Sequence, residues 1–184
     1  MKRKHQAAQF IHYLEAIKDA EGFACIDVSL NEDTALYDPI SFGENLDLNS
    51  SIYDFIDTQA NIIPAHIPLR IRFHGSAMSP EEQENVRKIM RRHYTMKSYD
   101  ITWDMAANFR KMLGFSLFGA AMLAVYFYVA FAADKAFASE LLSIIGSFSL
   151  WEAAGAFLLD RPRLRREYAG IMQNVHQTVE FVSE

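Results

Sequence analysis

One carboxylate, Glu152, stands inside an apolar stretch covering 141–159. An anion facing lipid near the middle of a helix costs several kcal/mol, roughly 2.5–3.5 on insertion scales for the related Asp. Such a group is therefore protonated, paired, or turned toward protein or water. Proton or cation binding is the chemistry it would perform. A helix-packing hydrogen bond is the structural alternative, and a position nearer the headgroups and the tail arginines is a third. The helical neighbours Ser149, Gly155 and Ala156 are small, which suits close helix contact. In an antiparallel pair with level ends at Met112 and Leu159, Glu152 lies level with Gly119, with Ser116 and Ala120 close by. No basic residue falls at that depth. Ser116, or Glu152 of a second copy, is the expected hydrogen-bond partner.

Two basic clusters come next. Arg161, Arg163, Arg165 and Arg166 form a run that either binds anionic lipid, at about 1 kcal/mol per charge near the surface, or acts as an ordinary positive-inside stop signal. Arg70, Arg72 and His74 alternate with Leu69, Ile71 and Phe73. They line a basic groove or a solvated strand face. The 6 histidines form no i, i+4 pair and no HExxH pattern, so no metal site is expected. The single Cys25 excludes an intrachain disulfide and a cysteine cluster. No Walker loop, GxGxxG or GxSxG occurs, and Asp54 and Asp57 fit helix-dipole stabilisation without catalysis. Neither a catalytic residue nor a cofactor is expected. The net charge of −5 gives no reason for a nucleic-acid partner.

The elements around these residues follow from periodicity. Phe10, Tyr13, Leu14 and Ile17 recur at helical steps, with Glu21-Gly22 as a stop. Ala24, Ile26, Val28 and Leu30 share one face of a strand over 23–30. A surface loop is expected over 31–48. Asn49-Ser50-Ser51 offers N-caps for a helix to about Ile62, with Ile52, Phe55, Ile56 and Ala60 inward and Pro64 beyond its end. A second strand over 69–73 closes at Gly75. Ser79-Pro80-Glu81-Glu82 is a capping box with Pro at the first helical position. The helix after it turns Val86, Ile89 and Met90 inward and Arg87, Lys88, Arg91 and Arg92 outward. From Tyr99 the chain is helical again and runs into the first apolar span. Alternation of Val175, Gln177, Val179 and Phe181 predicts a third strand over 174–182.

No charged residue occurs over 112–133. At ~1.5 Å per residue this stretch is about 33 Å long, enough for a hydrocarbon core of ~30 Å. With a second span over 138–159 and a short link at Asp134-Lys135, the two spans form an antiparallel transmembrane hairpin. Arg110, Lys111 and the tail arginines flank it, whereas the link has only Lys135, so both termini are expected in the cytoplasm. His5 to Gln9 interrupts any secretory h-region, and a cleaved signal peptide is not expected. The fold class is α+β. A small mixed domain over 1–98, with about three strands and helices, precedes a membrane-entry helix and hairpin over 99–160. A basic segment and strand over 161–184 then return to the domain.

Ile52-Tyr53-Asp54-Phe55-Ile56-Asp57, Ile63-Pro64 before Leu69, Ile144-Ile145-Gly146-Ser147-Phe148 and Trp151-Glu152, with Leu158 and the arginine-rich tail, resemble a family of uncharacterised bacterial two-span membrane proteins. The resemblance covers most of the chain beyond residue 20. It implies a bacterial plasma (inner) membrane location and supplies no activity. The expectation is a membrane-anchored, non-enzymatic binding or regulatory protein whose partners are the lipid bilayer and a second copy or a membrane protein. A subunit of an oligomeric channel or transporter, with Glu152 facing the lumen, is the alternative.

Overall fold

The computed structural model describes residues 12, 14–30, 35–75, 77–132 and 136–183 of the 184-residue chain. It is α+β, in the order β1 (Ala24–Ser29), α1 (Ser50–Ala60), β2 (Leu69–Gly75), α2 (Pro80–Ala132), α3 (Ala136–Gly155), α4 (Arg161–Val175) and β3 (Thr178–Ser183). It divides into two compact units, Met1–Ser98 with Ala169–Glu184, and Tyr99–Tyr168.

In the first unit the strands form one sheet in the order β1-β2-β3, both pairs parallel. Parallel neighbours need long crossovers. Helix α1 supplies the first, and the whole of α2, α3 and α4 lies between β2 and β3. Ile26 pairs with Ile71 and Val28 with Phe73; Ile71 pairs with Val179 and Phe73 with Phe181. This apolar face meets Ile52, Ile56 and Ala60 of α1 and Val86, Met90 and Tyr94 of α2 in one core. The Phe73 and Phe181 rings stack at 5.5 Å. The capping box forms as the sequence predicts. The Ser79 hydroxyl accepts the Glu82 amide hydrogen at 3.2 Å, and the Glu82 carboxylate accepts that of Ser79 at 2.8 Å. These bonds hold the Glu82 carboxyl below its usual range.

Two expectations need correction, and a third falls mostly outside the described residues. Phe55 is exposed, and Tyr53 takes a buried place on α1. Tyrosine can sit there because its hydroxyl donates to Asp47 at 2.6 Å. The third strand begins at Thr178, four residues later than predicted, because Asn174 and Val175 end α4. Gln173 anchors that last turn by donating from its side-chain amide to the carbonyls of Pro64 and Ile67, at 3.1 and 2.6 Å. Only two apolar residues of the alternating run lie in the strand, too few to separate period 2 from a helix end. The predicted N-terminal helix falls mostly outside the described residues; Leu14, Glu15 and Ala16 are helical, and Ile17 packs on the core.

The second unit contains two helices long and apolar enough to cross a membrane, one within Pro80–Phe131 and one within Ser139–Val175. Gly119 and Gly146 mark their close contact. A Cβ at Gly119 would lie 2.9 Å from the Gly146 carbonyl oxygen, and one at Gly146 would lie 3.2 Å from that of Gly119. Between α3 and α4 the residues Ala156–Asp160 form a π-helical turn. Pro162 accounts for it. A proline within a helix lacks the N–H that would bond the carbonyl four residues back, and its ring clashes with that carbonyl, here Leu158. Helix continues through the arginine run.

Candidate functional site

Two polar contacts join α2 to α3 and to the turn that follows it. The Asn108 side-chain amide donates to the Ala156 carbonyl at 3.1 Å, which also accepts the Arg161 backbone N–H across the π turn. One turn further along, Lys111 Nζ lies 3.8 Å from Glu152 Oε2. Glu152 is therefore not level with Gly119, which faces Gly146 and Leu150 instead. The register inferred from sequence fails because Met112 and Leu159 are ends of composition and not of helices. Helix α2 begins at Pro80 and α4 runs to Val175, so nothing at either residue fixes a level. The expectation of no basic partner fails with it, since Lys111 was placed just outside the span.

Of the other predicted residues, Ser149 is buried and donates within its own helix to the Ile145 carbonyl at 2.8 Å. Ser116 is half-buried, and the partner given to Glu152 is Lys111. The four tail arginines separate. Arg161 and Arg165 line one cleft of about 140 Å³ with Leu164, Met105, Asn108, Phe109 and Met112, whereas Arg163 and Arg166 do not line it. The Arg161 guanidinium lies 5.4 Å from the Phe157 ring centroid. Sequence reasoning missed Asn108; an amide just before an apolar span was the available signal.

In the first unit, the second face of the sheet carries the alternating basic residues. Arg70 pairs with Asp19 at 2.8 Å and with Glu21, and lies 3.3 Å from Glu180. It also sits over the Phe23 ring at 4.4 Å. Arg72 makes two bonds to Asp27, at 2.7 and 2.8 Å, and His74 makes a third at 2.6 Å. Burial alone would raise both carboxyls. For Asp19 the Phe23 and Glu21 amides and Arg70 outweigh it; for Asp27, Arg72 and His74 do. Both end below their usual range. Burial pushes the Cys25 thiol up, the opposite of what a nucleophile needs. Carboxylates balance each cation here, so the face offers an acidic ligand little unpaired charge. Among the described residues, no three His, Cys, Asp or Glu side chains gather so as to hold a metal ion.

A different surface feature was not legible as such. Ile40 and Phe42 are 92% and 90% exposed, yet their loop is tied. Asp38 accepts the Ile40 amide hydrogen at 2.9 Å, and the Ser41 hydroxyl donates to the Asp38 carbonyl at 2.8 Å. Arg92 donates to the carbonyls of Glu44 and Leu46.

Compared with family models, curated proteins and solved structures, the chain matches none.

Proposed function

We propose that this chain is a membrane-anchored, non-enzymatic binding or regulatory protein. Its α+β domain and both termini lie on the cytoplasmic side of a bacterial plasma membrane, as the resemblance to two-span proteins implies. The exposure of the apolar helices carries the reading. In the most apolar window of each, only 6% and 22% of the residues are buried. A core helix of a soluble protein would be mostly covered, because exposed apolar area costs about 25 cal/mol per Å² in water. The connectivity is a second support. Strands β2 and β3 pair directly although both apolar helices lie between them, which requires an even number of crossings. The excess of Arg and Lys beside Met112 and after Leu159 supports the proposed sidedness.

The anchor reading is favoured over a channel subunit by the Lys111–Glu152 pair. That contact accounts for a carboxylate among apolar residues as an ion pair at the basic end of the helices, with no ion path required. The tied loop holds Ile40 and Phe42 in solvent, two apolar side chains that a protein partner could cover. Reporter fusions at residue 184 and within 134–139 test the topology. Opposite responses, with the C-terminal fusion cytoplasmic, are expected; a cytoplasmic response from the link would defeat the hairpin. Proton flux through liposomes holding the chain, abolished by Glu152→Gln, would instead establish the channel.

A further inference from the structure

We propose that the cleft between α2 and the start of α4 is a binding site for the phosphate of an anionic phospholipid, gripped by Arg161 and Arg165. The proposal rests on the anchor reading above. The two arginines are four residues apart and so share a helix face with Leu164 between them. Neither meets a carboxylate among the described residues, whereas Arg70, Arg72 and Arg87 of the first unit each do. The cleft thus presents two unneutralised guanidiniums, the group best matched to phosphate oxygens. Its remaining wall is apolar, built by Met105, Phe109, Met112 and Leu164. Guanidiniums beside thioethers and an aromatic ring suit a ligand that is anionic at one end and hydrocarbon at the other. Basic pockets between membrane helices at the cytoplasmic face recognise lipid headgroups in this manner.

The site is built and not incidental to a basic tail. The turn Ala156–Asp160 sets the direction of α4, and the Asn108 bond to Ala156 holds α2 against that turn. Arg163 and Arg166 belong to the same segment and have the same charge, but lie off the cleft. Diffuse attraction to an anionic surface would use all four equally. A built site uses two.

That asymmetry is the test. The full chain, purified in detergent, is titrated with phosphatidylglycerol, and bound lipid is counted by native mass spectrometry. Arg161→Gln with Arg165→Gln should weaken binding roughly thirtyfold, about fivefold for each charge removed. Arg163→Gln with Arg166→Gln should leave it within about twofold of the parent. Met112→Trp, which fills the cleft and keeps every charge, should also abolish binding; it separates loss of the site from loss of charge. Equal weakening by the two double variants, or full binding by Met112→Trp, overturns the proposal. Inorganic phosphate is titrated in parallel; if it competes with the lipid at equal concentration, the site takes soluble phosphate and the lipid assignment is wrong. Recovery of the chain in the soluble fraction of cells would defeat the anchor reading by a separate measurement.

Discussion

Gly119→Ala should loosen the helical unit, by an amount set by two short distances. The new Cβ would lie 2.8 Å from Leu150 Cγ and 2.9 Å from the Gly146 carbonyl oxygen. Carbon pairs settle at about 3.5–4.0 Å. Leu150 can change rotamer, but the Gly146 carbonyl is helix backbone and cannot move alone. The helices must therefore separate by several tenths of an ångström. Inserting a methyl into a packed contact costs about 1–3 kcal/mol, offset by ~0.5–1 kcal/mol from the restricted unfolded backbone of alanine. The net loss is about 0–2.5 kcal/mol. Gly146→Ala should cost less, because its nearest atoms are the Leu123 side chain at 3.0 Å and the Gly119 carbonyl oxygen at 3.2 Å. At Gly114 and Gly155 an added Cβ meets nothing within 4 Å, so alanine there should be neutral or slightly stabilising. Both tryptophans, Trp103 and Trp151, belong to this unit. Their fluorescence during titration of the detergent-solubilised chain with dodecyl sulfate therefore follows it selectively. The midpoints should rank Gly119→Ala lowest, Gly146→Ala next, and Gly114→Ala at or above the parent. Equal midpoints for Gly119→Ala and Gly114→Ala would refute the contact.

Three further outcomes follow from the same structure. His93 stacks on Tyr53 at 3.7 Å, and burial pushes its pKa below the usual 6.5. Between that lowered value and about 6.5 the unfolded chain takes up a proton that the folded chain refuses. Stability should therefore fall as pH drops below about 6.5, by at most about 1.4 kcal/mol per pH unit; the gap in thermal midpoint between parent and His93→Phe should change from pH 7.5 to 5.5, and a constant gap would exclude His93. Removing the chain after Gln177 deletes one of the two strands paired with β2 and uncovers Phe73 on that side, so residues 1–98 should be cleaved faster by trypsin; an unchanged digest would show that β3 is dispensable. The Lys111–Glu152 pair is partly exposed, with side chains at 47% and 38%, so a double-mutant cycle should give a coupling of only about 0.2–1 kcal/mol. Exchanging the two residues should recover most of what Glu152→Lys loses, and no recovery would mean the pair is incidental.

What could be read in advance was whatever local patterning alone decides. The capping box at Ser79 and Glu82, the alternation in β1 and β2, and the inward Val86, Ile89 and Met90 all follow from spacings within a few residues. The site depends on longer-range facts. Asn108 meets Ala156, and Lys111 meets Glu152, only once the register of α2 against α3 is known. Apolar composition does not encode that register, because any neighbouring residue of a uniform span reads alike. The glycines were the usable signal. Gly119 and Gly146 are where backbones approach, and aligning them would have brought Glu152 nearer to Lys111 than aligning span ends did. The division of the arginines was hidden for a related reason. Four cations in six residues read as one patch until the helix places Arg161 and Arg165 on one face.

The pairing of β3 with β2 also constrains how the protein forms. Roughly a hundred residues separate these neighbours, and closing a flexible loop of that length costs about 4 kcal/mol plus a constant. The chain meets little of that cost if the two apolar helices associate first, since an antiparallel pair returns α4 to the side on which α2 began. The contact of Gly119 with Gly146 and the bond from Asn108 to Ala156 lie within the crossover, so they act on the sheet without touching it. Until Thr178–Ser183 pair, one edge of β2 presents unpaired amides and carbonyls. The apolar helices and the sheet are thus linked through loop closure. A substitution that separates the helices should slow the sheet's completion even where it leaves the final sheet unchanged, because it acts on the entropy of bringing β3 home and on none of the contacts that hold it.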